Sequence, residues 1–89
     1  EPVRVFEIGC AYGYFINHVI KNGAVEAFGI DISGDAINEA RKNFGEHFGM
    51  ADERPLFQYN CLVAWDVWEH LTDPFDRFQA EVDKYLNKY

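Results

Sequence analysis

The chain has 89 residues, 48% of them apolar and 17% aromatic, a composition that fits a globular core and excludes a disordered or fibrous segment. At this length it forms one domain at most and buries about 60–65% of the surface its unfolded form exposes. Its formal charge of −7, with eight Lys and Arg scattered along the chain, excludes a phosphate-tracking nucleic-acid face in this stretch.

In chain order, residues 3–8 read as a buried strand. The run Glu7-Ile8-Gly9-Cys10-Ala11-Tyr12-Gly13 carries the backbone from that strand into a turn with two glycines. Residues 14–21 follow as a helix, with Phe15 and Val19, and Ile16 and Ile20, at the i, i+4 spacing of a sheet-facing side. Asn22-Gly23 stops it. Residues 25–30 form a second strand, parallel to the first through the βαβ connection and ending in Asp31. Ser33 is placed to cap a helix over residues 35–44, which turns Ala36, Ile37 and Ala40 inward and ends at Gly45. Residues 46–50 read as a short third strand, with continued helix as the competing assignment, and residues 51–58 as loop. Residues 59–65 form a fourth strand with the apolar centre Leu62-Val63-Ala64. Asp73 caps a last helix with Pro74 in its first position, burying Phe75, Phe78, Val82, Tyr85 and Tyr89.

A strand running into a glycine-bearing turn and then a helix is how open α/β folds hold a nucleotide-type ligand. Without Cβ atoms the turn is tight and its backbone approaches the ligand closely, while the helix N–H groups face it. Asp31 sits where a carboxylate accepts from two ribose hydroxyls, bonds that contribute roughly 1.5–3 kcal/mol each. The spacing limits which ligand fits. A dinucleotide fingerprint wants glycine at the first, third and sixth positions, and here these are Gly9, Ala11 and Tyr14. Tyrosine there is expected to obstruct close helix–strand packing. No Gly-Lys-Ser/Thr occurs, so a P-loop is excluded. An acid–x–Gly–x–x–x–Gly turn remains, with no need to cradle phosphates. Glu7, an acid at the end of a buried strand, is costly unless bonded, so it is expected to orient the turn or a ligand amino group.

These residues resemble motif I of the class I S-adenosylmethionine-dependent methyltransferases. Glu7, Gly9, Ala11 and Gly13 stand in its E/D-x-G-x-G-x-G positions, with Ala11 in place of the commonest glycine. Asp31, in Gly29-Ile30-Asp31-Ile32-Ser33, matches the acid at the end of the family's second strand. Ala51-Asp52 matches the acidic position after the third strand, and Pro55-Leu56-Phe57 resembles the Leu-Pro-Phe loop beyond it. The segment Ala64-Trp65-Asp66-Val67-Trp68-Glu69-His70-Leu71-Thr72-Asp73-Pro74 is similar to the fourth strand's end with the Glu-His-Leu-x-Asp-Pro run of small-molecule methyltransferases. The resemblance implies an α/β fold: a Rossmann-like parallel sheet with flanking helices, strand order 3-2-1-4, incomplete at about four of seven strands. Residues 1–89 are then the N-terminal part of an S-adenosylmethionine-binding methyltransferase domain, a fragment of a longer protein in preference to a shortened relic. The implied cofactor is S-adenosylmethionine, held by Glu7, Gly9, Cys10, Ala11, Gly13, Asp31, Ile32, Asp52 and Trp65. The implied reaction is methyl transfer to an O, N or C nucleophile of a small molecule.

Each candidate has a plainer alternative. Gly9 and Gly13 also suit a bare strand-to-helix turn, and Asp31 also suits a helix cap. Asp52 either meets the adenine amino group or is one more solvated acid, and Ile32 either packs on the adenine face or joins the core. His70 is the histidine placed at the carboxyl edge of the sheet; with an ordinary pKa near 6.5 it can take a proton from a hydroxyl or amine acceptor. Its alternative is a hydrogen bond that fixes the 69–74 turn. His18 and His47 are expected in solvent, and Asp66 has no second ligand nearby, so no metal site is expected. Cys10 and Cys61 lack metal spacing and suit free thiols in a reducing cytoplasm. No apolar run reaches membrane-spanning length, and Glu1-Pro2 lacks the features of a signal peptide. The expected partner is a small-molecule substrate, with association through the exposed fourth-strand edge as a further expectation. Two other readings stay open: a catalytically inactive methyltransferase-like binding module, and a fragment of a nucleotide-dependent oxidoreductase.

Overall fold

The computed structural model describes residues 2–64. Across them run β1 (Arg4–Ile8), α1 (Tyr14–Lys21), β2 (Glu26–Asp31), α2 (Gly34–Phe44), β3 (Phe48–Met50) and β4 (Cys61–Ala64). The four strands make one parallel sheet in the order β3-β2-β1-β4, the Rossmann-like α/β arrangement expected. In its register Phe6 lies beside Phe28 and Leu62, and Glu7 lies beside Gly29 and Val63. Because all strands run one way, their carboxyl ends share one edge, and the turns after β1, β2 and β3 gather there.

Side chains alternate across a strand, so the central strands carry apolar residues on both faces. Val5 and Ala27 face α1 and α2, and they form one cluster with Cys10, Ile16, Ile37, Ala40 and Phe48. Phe6, Ile8 and Ile30 face the other way and meet Tyr59, flanked by Phe28, Phe57 and Leu62. The segment after β3 returns across this second face, where the Tyr59 ring centre lies 5.1 Å from that of Phe6. Ile16 is the buried residue of α1, with Phe15, Val19 and Ile20 packed partly buried against the same cluster. Full burial of such a side chain contributes roughly 1.5–3 kcal/mol.

The helix ends follow their local chemistry. The Ser33 hydroxyl accepts the Ala36 N–H at 3.2 Å, which starts α2, and Gly45 (φ +92°) ends it by donating to Arg41 O at 2.9 Å. Asn22 and Gly23 (φ +105°) end α1 in the same way. Several sequence-based boundaries shift: β1, β2 and α2 each start one residue away from the expected position, and three further shifts have structural content. Asp31 belongs to β2, where it pairs with Met50. The third strand shrinks to three residues, and the competing helix is absent there. The fourth strand starts at Cys61 because Asn60 is occupied before the ladder begins: its Oδ1 accepts the Arg4 N–H at 2.9 Å and its Nδ2 donates to Pro2 O at 2.7 Å. Trp65 and the expected last helix lie outside the described residues. No described helix is long and apolar enough to cross a membrane.

Candidate functional site

The turn between β1 and α1 places every second residue in the left-handed region: Gly9 at φ +83°, Ala11 at +49° and Gly13 at +88°. Glycine enters that region freely, whereas a residue with a Cβ loses roughly 1–2 kcal/mol there. Ala11 accepts that strain because its N–H is anchored, donating to Asp31 Oδ2 at 2.8 Å. The neighbouring amides are also used. Gly9 and Cys10 both donate to Ile30 O, at 2.8 and 2.9 Å, and Gly13 donates to Cys10 O at 3.0 Å. Four N–H groups of the turn are thus bonded within the protein. A pyrophosphate cradle needs such groups aimed at the ligand, so this turn offers close backbone approach instead.

Asp31 is the brace of the arrangement. One carboxylate oxygen holds Ala11, and the other accepts the Ser33 N–H at 2.9 Å. The cap of α2 comes from the Ser33 hydroxyl, so Asp31 is not that cap. An ionised carboxylate has about four acceptor sites, two of them still open on this half-exposed side chain. Bracing the turn and accepting ligand hydroxyls are therefore compatible.

Gly13 has a packing role. A Cβ there would stand 2.6 Å from Phe48 Cζ and 3.0 Å from Ala40 Cβ, so α2 and β3 close directly over it. Tyr14, expected from the sequence to crowd the sheet, instead lies 70% exposed with its ring edge-on to Phe44 at 5.6 Å. The steric objection to a dinucleotide therefore does not rest on Tyr14, and the committed amides take its place. Close helix–strand contact is made at Gly29, where a Cβ would fall 2.6 Å from Cys10 Cβ and 3.1 Å from Ile16 Cγ1. A glycine inside a strand was the available signal for that contact.

Two carboxyl groups, Glu7 and Asp31, flank the turn. Glu7, 1% exposed, is the buried charged residue among those described, and it pairs with Gly29 in the ladder. Burial first, and then the carboxylates of Glu7 and Asp31, push the Cys10 thiol up to about 12. Cys10 is therefore neutral at physiological pH and is no nucleophile there. Cys61 is also a free thiol, half-buried. His18 is exposed, while His47 is half-buried with its ring edge-on to Phe48.

Ile32 is 68% exposed immediately after Asp31, so it is not a core residue. Asp52 is exposed in the turn after β3, at the same carboxyl edge. The structure thus gathers Gly9, Cys10, Ala11, Gly13, Asp31 and Ile32 around one turn, with Glu7 buried at the end of β1 and Asp52 beyond β2. Trp65, Asp66 and His70 lie outside the described residues. Among the described residues no group of three His, Cys, Asp or Glu is arranged to hold a metal. Sequence reasoning passed over Arg41, Glu53 and Arg54, which shape the turn after β3 through side-chain contacts that no local motif encodes.

No curated protein matches the chain. A family model described as a methyltransferase domain matches residues 1–82, which takes in the whole described sheet and the turns on its carboxyl edge. With the parallel 3-2-1-4 order in place, the chain belongs to the methyltransferase-domain family in its class I, Rossmann-like form, a family whose chemistry is methyl transfer.

Proposed function

We propose that this chain supplies the S-adenosylmethionine-binding half of a methyltransferase acting on an oxygen, nitrogen or carbon nucleophile of a small molecule. The observation that carries the reading is the turn itself: left-handed at Gly9, Ala11 and Gly13, its amides committed, and braced by an Asp31 that keeps open acceptor sites. Such a site favours a nucleoside without phosphates. The carboxyl groups of Glu7 and Asp31 beside the turn favour a ligand whose own charge is positive, as a sulfonium and an α-ammonium are.

Asp31 accepts the ribose hydroxyls, Ile32 covers one face of the adenine, and Asp52 accepts from its amino group. Glu7 holds the turn from beneath and complements the cationic end, while Gly9, Cys10 and Ala11 lend close backbone approach. Gly13 keeps that backbone tight against α2, and Trp65, which follows Ala64 in sequence, is the further residue that the family resemblance assigns to the cofactor. When bound, the cofactor supplies an electrophilic methyl group on a sulfonium leaving group. The protein's part is then to align the acceptor with it and exclude water, and orientation of this kind lowers barriers by several kcal/mol, up to about 7–11. His70 is the base for a hydroxyl or protonated amine acceptor. On this reading His70→Ala lowers turnover by roughly 10²–10⁴-fold with cofactor affinity intact.

Calorimetric titration of the intact protein with S-adenosylhomocysteine and with NAD tests the reading. Binding of the first and not the second is the expected result. Binding of NAD alone would assign the turn to an oxidoreductase. Cofactor binding with no methyl transfer to any acceptor would make the domain an inactive binding module.

A further inference from the structure

The turn that carries Asp52 is held by side chains to which the family assignment gives no role. Gly29 donates to His47 O in the β2–β3 ladder, so the alternate groups, the Phe48 carbonyl and the Met50 N–H, face away from β2. Both are occupied by side chains. Arg41 donates to Phe48 O from Nε at 3.2 Å and from Nη2 at 3.0 Å. Glu53 Oε2 accepts the Met50 N–H at 2.6 Å and lies 3.8 Å from Arg41 Nη2. The Glu53 N–H in turn donates to Met50 O at 2.9 Å, so main chain and side chain of one residue close the turn on both sides of Asp52. On the far side, Arg54 donates from Nη1 to Ala51 O at 2.9 Å and to Glu53 O at 2.7 Å, its guanidinium 5.9 Å from the centre of the Phe6 ring.

Space for this clamp is built into the strand. A Cβ on Gly49 would stand 2.8 Å from the Glu53 carboxyl carbon and 2.8 Å from Phe28 Cζ. The missing side chain at Gly49 is what lets the Glu53 carboxylate lie across β3 and reach Met50. An exposed acid on a surface turn needs no such recess to stay solvated, so the recess and the two-sided closure have one shared consequence. They fix the direction in which Asp52 leaves the sheet.

We propose that Glu53 is a positioning residue of the cofactor site, aiming Asp52 at the adenine edge through its bonds to Met50 and Arg41 without itself touching the ligand. This rests on the S-adenosylmethionine reading above. If Asp52 accepts from the adenine amino group, loosening its turn removes discrimination for that group. The rest of the cofactor, held from β1 and β2, stays bound.

The experiment compares S-adenosylhomocysteine with its hypoxanthine analogue, S-inosylhomocysteine, which lacks the amino group, by calorimetry on the intact protein. The wild type is expected to prefer the adenine ligand by about fivefold to tenfold, the size of one hydrogen bond. Glu53→Ala is expected to bring that ratio close to one by weakening the adenine ligand alone. Glu53→Gln, which keeps an acceptor for Met50 but loses the charge facing Arg41, should recover most of it. Gly49→Ala should act like Glu53→Ala because it fills the recess. A merely structural Glu53 would weaken both ligands equally, and that result overturns the proposal, as does an unchanged ratio in Glu53→Ala. A wild type that binds S-adenosylhomocysteine without preferring it also overturns the proposal while sparing the cofactor reading. A wild type that binds neither ligand overturns the cofactor reading itself.

Discussion

Two turns leave the carboxyl edge of the same sheet and keep their shapes by different means. The turn after β1 is written in the backbone: three left-handed residues at alternate positions, four amides bonded inside the protein, and one carboxylate bridging two strand ends. The turn after β3 is written in long side chains, with Arg41, Glu53 and Arg54 converging on main-chain groups from a helix and from the turn itself. Backbone conformation tolerates few substitutions, so damage to the first turn should strike fold and ligand together. Exposed side-chain clamps are individually weak, so damage to the second should be graded and should appear chiefly in selectivity.

The largest effect tests the first half of that contrast. Gly13→Val combines a left-handed φ with a Cβ driven onto Phe48 and Ala40, and should destabilise the domain by about 2–5 kcal/mol in urea unfolding. A loss below 1 kcal/mol would mean that α2 and β3 give way easily there. Asp31→Ala comes next. It strands the Ala11 and Ser33 N–H groups at a half-exposed site, and should cost about 1–3 kcal/mol of stability along with cofactor affinity. Glu53→Ala in the second turn should remain within about 1 kcal/mol. Equal losses at Asp31 and Glu53 would erase the distinction between the two turns.

A pH dependence sharpens the picture of the first turn. The folded Cys10 thiol titrates near 12, against 9.0 ordinarily, so the folded state binds its proton more tightly. The stabilisation is therefore complete below pH 9 and declines as pH rises from 9 toward 12. Thermal melts of wild type and Cys10→Ala should diverge in slope only above pH 9, with the wild type losing stability faster. The smallest effect is at Ala11. Changing it to glycine relieves left-handed strain of roughly 1–2 kcal/mol but adds flexibility to the unfolded chain, for a net gain of at most about 1 kcal/mol.

The same contrast explains what could be read from the sequence. Both described helices, the Ser33 cap and the inward Ala36, Ile37 and Ala40 follow from apolar periodicity and capping chemistry, which are local, whereas the strand order comes from the resemblance to the methyltransferase family. Gly9, Gly13 and Asp31 stand out because a strand-turn-helix junction restricts what can occupy those positions. What stayed hidden depends on residues brought together from separate elements. Gly13 belongs to packing because Phe48 and Ala40 arrive from α2 and β3, and no spacing within 9–14 reveals that. The β3 clamp joins Arg41 to Glu53 across a whole strand, and each reads alone as an ordinary surface charge.

The central claim is that Asp31 serves the ribose while it braces the turn, and ligand chemistry tests this more cleanly than mutation alone. Affinities of wild type and Asp31→Ala for S-adenosylhomocysteine and for its analogue lacking both ribose hydroxyls form a double cycle. The account predicts that the wild type loses at least about tenfold when the hydroxyls are removed, and that Asp31→Ala loses almost nothing further. Equal losses in the two proteins would show that Asp31 only braces the turn and that the ribose lies elsewhere.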